Sequence, residues 1–161
     1  MRGQLGLQRY AGAMPFFICP NCKDRSLDHD GRQGLLRQAV SCERCGFGFL
    51  FELLDDYYPA PNTGLVACDR QARILAAGRG VFELTGYREG DLMGKDVVDA
   101  FGLAGFEEGK SPVALALEWG VRRLGEKIEL RSRAGQVKRI TADIFPAYDH
   151  DGGLLVALSP R

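Results

Sequence analysis

Apolar and polar positions along this chain change character near residue 60. Before that point regular period is scarce and residues 1–13 show none, but a run at 47–54 places aromatics at alternating positions Phe47, Phe49 and Phe51, the period of a strand. The stretch 35–40, Leu-Leu-Arg-Gln-Ala-Val, reads as a strand upstream of it. From Gly64 onwards the pattern is regular. It predicts strands at 65–68 and 73–77 about a turn at 69–72, then a short helix at 80–87 closed by Gly86. A further segment follows at 89–95. Ser111 and Pro112 open a longer helix, serine as cap and proline at the first helical position. Val113, Leu117, Val121 and Leu124 form its apolar stripe, and Gly125 ends it. Strands at 127–133, 137–147 and 154–159 complete the chain, joined by turns at Ala134-Gly135 and at 149–153. The order is β-β-α-α-β-β-β.

The segment before residue 60 holds the strongest chemical signal. Cys19-Pro-Asn-Cys22 is followed, after residues 23 to 41, by Cys42-Glu-Arg-Cys45 and then Gly46. Two C-x-x-C pairs at that separation suit two tight turns closing four thiolates around one ion. Pro20, Asn21 and Gly46 are turn residues. Four cysteines fill a tetrahedral shell and leave no open position, which makes a structural site rather than a catalytic one. Zinc is the expected ion, and iron is the alternative because tetrahedral sulfur ligation suits both. Disulfides would require an oxidising compartment, yet no secretory signal is visible. A redox use of one C-x-x-C would require a βαβ context that the pattern lacks. The two pairs, Cys19 with Cys22 and Cys42 with Cys45, resemble the knuckles of a zinc ribbon. His29, lying between them, has no vacancy to fill and reads as a solvated turn residue.

Four segments follow from this: a tail at 1–14, in which Met14 is an alternative start; a zinc ribbon at 15–55; a linker at 56–62 stiffened by Pro59 and Pro61; and a second domain at 63–161. A module of about 40 residues needs a metal to be stable. Its apolar run at 47–54 is too large for one hairpin to bury, so it docks on the second domain or on another chain.

The second domain resembles the PAS fold. The resemblance rests on 66–69 (Val-Ala-Cys-Asp), Ile74, 82–87 (Phe-Glu-Leu-Thr-Gly-Tyr) and 92–95 (Leu-Met-Gly-Lys), and covers roughly residues 62–161. It implies an α+β architecture, a five-stranded antiparallel sheet with helices on one face, serving as a sensor or dimerisation module. A ligand in such a domain lies between the sheet and the long helix, where Phe82, Leu117, Trp119 and Val121 are the candidate lining. An aromatic and aliphatic stripe is equally the signature of plain core. The sequence departs from the resemblance at Gly78, which stands where PAS sequences commonly carry asparagine. The reactive-cysteine motif of flavin light sensors is absent, the long helix carries no histidine for haem, and His150 falls in a turn, so neither flavin nor haem is expected. Cys68, the fifth cysteine, reads as a buried inert thiol.

Charge narrows the partners. Lysine plus arginine and aspartate plus glutamate both total 21, and the ribbon half carries seven basic against six acidic residues. A neutral balance gives no field for nucleic acid, and no apolar run reaches the roughly 18 residues of a membrane span. No nucleophile beside a base and no phosphate loop is visible, so no enzyme activity is expected. The expectation is a soluble, cytoplasmic, non-enzymatic signalling or interaction module, homodimeric and acting on a separate regulatory protein. A zinc-ribbon regulator contacting nucleic acid is the alternative.

Overall fold

The computed structural model describes residues 16–25, 41–47, 51–53, 57–106, 109–146 and 153–161. The tail, the strand expected at 35–40, Phe49, His29 and His150 lie outside the described residues. Strands β1 (Phe16–Ile18) and β2 (Phe51–Leu53) pair antiparallel, Ile18 opposite Phe51. Strands β3 (Gly64–Cys68) and β4 (Ile74–Ala77) follow, and then four helices: α1 (Arg79–Thr85), α2 (Glu89–Leu92), α3 (Val97–Phe101) and α4 (Pro112–Trp119). Strands β5 (Arg123–Arg131), β6 (Val137–Pro146) and β7 (Leu154–Pro160) close the chain. The last five strands form one antiparallel sheet in the order β4-β3-β7-β6-β5.

Side-chain alternation sends two sets of residues to opposite faces of this sheet. Val66, Cys68, Ile74, Ile128, Leu130, Ile140, Ile144, Leu154 and Val156 point to the helices, where Val81, Leu92, Val97, Phe101, Val113 and Ala116 meet them. Leu65, Ala67, Ala76, Phe145, Leu155 and Ala157 point the other way. That outer face would be wet in an isolated sheet. Instead Ile18 and Phe51 of the small hairpin bury themselves in it, with Phe47 and Tyr57 packed alongside. Both Ile18 and Phe51 are fully buried, and each such burial stabilises by about 1.5–3 kcal/mol. Phe47 and Phe51 of the apolar run therefore dock on the chain's own sheet.

The connecting segment is part of this packing. The Tyr57 ring lies 4.5 Å from Phe145, and its hydroxyl donates to Asp143 Oδ2 at 3.2 Å. Arg25 stacks over the exposed Tyr58 ring, 3.8 Å from its centroid.

Helix α4 departs from the sequence expectation. Its cap is as expected, the Ser111 hydroxyl accepting from the N–H groups of Val113 and Ala114. Its end is not. Gly120 adopts a left-handed conformation (φ 66°) and its N–H bonds back to the Ala116 carbonyl, closing the helix after Trp119. Val121 and Leu124 are therefore not on a helical stripe. Leu124 falls in β5, which begins four residues earlier than expected, and both side chains are exposed. The segment expected at 89–95 contains α2, and α3 is a helix the pattern did not indicate.

Candidate metal centre

Two turns with the same backbone plan hold the four cysteines. In the first, the Cys19 N–H donates to the Asp24 carbonyl and the Lys23 N–H to the Cys19 carbonyl. In the second, the Cys42 N–H donates to the Phe47 carbonyl and the Gly46 N–H to the Cys42 carbonyl. Each plan needs a positive φ four residues after its first cysteine. Gly46 supplies it freely at 81°, while Lys23 adopts 65° against its preference. β1 leads into the first turn, and Phe17 packs with Cys19 and Cys42 beneath the site.

The turns bring all four sulfurs within 4.8 Å of one another. Across the two turns, Cys19 Sγ lies 3.6 Å from Cys45 Sγ and Cys22 Sγ 3.8 Å from Cys42 Sγ. A tetrahedron with metal–sulfur bonds of about 2.3 Å has sulfur–sulfur edges of about 3.8 Å. The donor set thus fits a four-coordinate thiophilic ion. Cys19 and Cys42 are buried, Cys22 is half-buried and Cys45 is exposed.

The thiols are electrostatically unequal. Burial pushes Cys19 well up from the ordinary thiol range and raises Cys22 as well. At Cys45 desolvation, the largest single effect, raises the value but is outweighed by the combined hydrogen bonds of the Asn21 amide, the Phe47 N–H and the Cys19 and Cys22 thiols, which bring it down to about 7. Asn21 Nδ2 lies 3.6 Å from Cys45 Sγ. Cys68, buried in β3, is pushed up by burial first and then by Asp69 and Asp96.

The four candidate pocket residues have different surroundings. Leu117 packs half-buried against the core. Phe82, Trp119 and Val121 are exposed, Trp119 by 66%, and the Arg88 guanidinium sits over the Phe82 ring at 4.9 Å. A cleft of about 650 Å³, which the sequence pattern did not indicate, opens elsewhere, among Arg73, Tyr87, Asp91, Lys95, Asp96 and Asp99. Asp96 is already committed there as the cap of α3, and Asp91 accepts from the Arg88 N–H. No helix among the described residues is long and apolar enough to cross a membrane.

No family model matches the sequence, and no curated protein matches it. Solved structures do resemble it. The PAS domain of the fruit-fly ELK potassium channel is 20% identical, with a TM-score of 0.52 over 62% of this chain and 86% of that one. The PAS domain of nitrogen regulation protein NR(II) from Vibrio parahaemolyticus is 13% identical, with a TM-score of 0.52 over 62% of this chain and 90% of that one. A fungal LOV domain photoreceptor is 20% identical, with a TM-score of 0.52 over 66% and 81%. At such identities the likeness speaks for architecture. The chain has a PAS-like α+β fold, and the outer face of its sheet carries a hairpin whose turns gather four cysteines as a zinc ribbon does.

Proposed function

We propose that this protein is a non-enzymatic sensory and protein-interaction module, a PAS-like domain carrying a structural zinc ribbon. The observation that carries the reading is the closed sulfur cluster. Four thiols at tetrahedral spacing, two of them buried, leave no ligand position for substrate. Cys19, Cys22, Cys42 and Cys45 would hold zinc, and the ion would supply the cross-link that so small a hairpin lacks. Thiolate ligation suits a reducing compartment, so the cytoplasm remains the expected location.

Nucleic acid is the weaker partner. The basic side chains of the first turn are engaged within the protein, Lys23 Nζ on the Pro61 carbonyl at 2.9 Å and Arg25 on Tyr58. Arg44 lies 3.7 Å from Asp24. We therefore retain a homodimer, and a separate regulatory protein as the recipient of the signal. A small ligand between sheet and helices is a further element of the reading, with Leu117 the one candidate lining residue packed on that core.

Native mass spectrometry of protein purified without added metal tests this reading. One zinc per chain in a dimer is expected, and an additional small-molecule mass would identify a ligand. Bound iron would replace zinc in the reading, and metal-free folded protein would overturn the ribbon.

A further inference from the structure

We propose that Asn21 couples the metal centre to helix α1, so that metal occupancy sets the order of the PAS-like domain's first helix. The inference rests on the zinc reading above.

The first turn of a helix leaves N–H groups in need of acceptors, normally met by the N-cap side chain. Helix α1 has Gly78 at its N-cap, which has no side chain to offer. The first of the orphan N–H groups finds its acceptor 58 residues upstream, where Asn21 Oδ1 takes the Arg79 N–H at 2.8 Å. The other end of the same amide reaches Cys45 Sγ. An amide offers an acceptor on one side and donors on the other, and this placement uses both. Asn21 itself lies between the ligands Cys19 and Cys22. One planar group therefore bridges a metal-ligating sulfur to a helix of the other sheet's layer.

The contact is tight around it. A Cβ on Gly78 would stand 1.9 Å from the Pro20 carbonyl oxygen, so only glycine admits the turn at that distance. Lys23 Nζ holds the far side of the turn to Pro61. Ile18, directly before Cys19, is buried in the outer face of the sheet. The turn can keep these contacts only while it is folded, and in a small ribbon folding and metal binding are one equilibrium. By linkage, whatever the metal does to α1, the order of α1 does to metal affinity.

Hydrogen exchange with and without a strong chelator tests the coupling, with zinc content measured on every sample. In the native chain, chelation is expected to speed exchange at the start of α1 by about fivefold or more, the equivalent of a lost N-cap. Asn21→Ala is expected to retain one zinc yet exchange fast there even when loaded. Asn21→Asp keeps an acceptor for Arg79 and loses the donor to Cys45. It is expected to protect α1 while releasing zinc to chelator faster than the native chain. Gly78→Ala touches no ligand and is expected to push the turn off the helix, reproducing fast exchange with zinc retained; it decides the matter alone should Asn21→Ala fail to fold. Zinc bound with α1 exchange unchanged on chelation would overturn the coupling and leave the ribbon standing. Protein that binds no metal would overturn both.

Discussion

The thiols of the cluster must lose protons before they can bind an ion, and their surroundings make this unequally easy. Cys45 is near ionisation at neutral pH, whereas burial holds the protons on Cys19 and Cys22. Each proton displaced by the metal makes affinity rise with pH. Zinc affinity is therefore expected to climb from about pH 6 to about pH 8, measured by competition with a chromophoric chelator; a flat profile would argue against ligation by these thiols. Cys68 behaves oppositely. Its folded-state value is raised above the ordinary 9.0, so the folded state binds this proton more tightly than the unfolded one. The sign follows: stability from this group is full below about pH 9 and is lost as pH rises beyond it. Tyr57, also raised by burial beside Asp143, adds a similar loss at higher pH. Chemical denaturation from neutral to alkaline pH should show a fall that is shallower in Cys68→Ala, and native Cys68 should resist alkylation. The spacing of the four ligands was legible because the two turns are local. Lys23 in a left-handed conformation was not, since lysine does not advertise it, and only its match to Gly46 in the second turn makes sense of it.

Helix boundaries show which signals are strong. The Ser111 cap and Pro112 mark the start of α4 because capping is a contact between near neighbours. Ser111→Ala should lower stability by about 1 kcal/mol, readable as a shift in the denaturation midpoint. The stop was misplaced because Val121 and Leu124 continue a helical spacing past Gly120, and a glycine inside a pattern is tolerated in many helices. Here Gly120 takes the left-handed cap, and β5 starts directly afterwards. The strands carry a clearer message in retrospect. β5 alternates buried and open positions along its second half, but β7 is buried from Leu154 to Leu158 without a break. An unbroken apolar run means a strand covered on both faces. Leu154-Leu-Val-Ala-Leu158 was thus a signal that something covers the outer face.

At the scale of the molecule, the cover is the ribbon. Cys45→Ser is expected to release the metal, unfold the small hairpin and leave the five-stranded sheet standing. Its outer face, with Leu65, Phe145 and Leu155, would then be exposed. Circular dichroism should retain most sheet signal while binding of a hydrophobic dye increases; loss of the whole fold would show the two layers to be one cooperative unit. Phe51→Ala separates docking from ligation, since Phe51 fills the outer face without being a ligand. A loss of about 3–5 kcal/mol is expected with zinc content unchanged. The amino-acid sequence by itself determined the two C-x-x-C turns that gather the cysteines, the Ser111 start of α4 and the Gly86 end of α1, because each rests on contacts or spacings between residues close along the chain, and the PAS-like architecture was legible as a resemblance. Only the tertiary structure decided that Ile18 and Phe51 turn back onto the chain's own sheet, that Tyr57 and Asp143 pin the connection, and that Asn21 accepts from the first N–H of α1. Those contacts join residues tens of positions apart; hydrophobic burial has no direction that a linear pattern can record, and the two hydrogen bonds pair groups whose proximity only the folded chain creates.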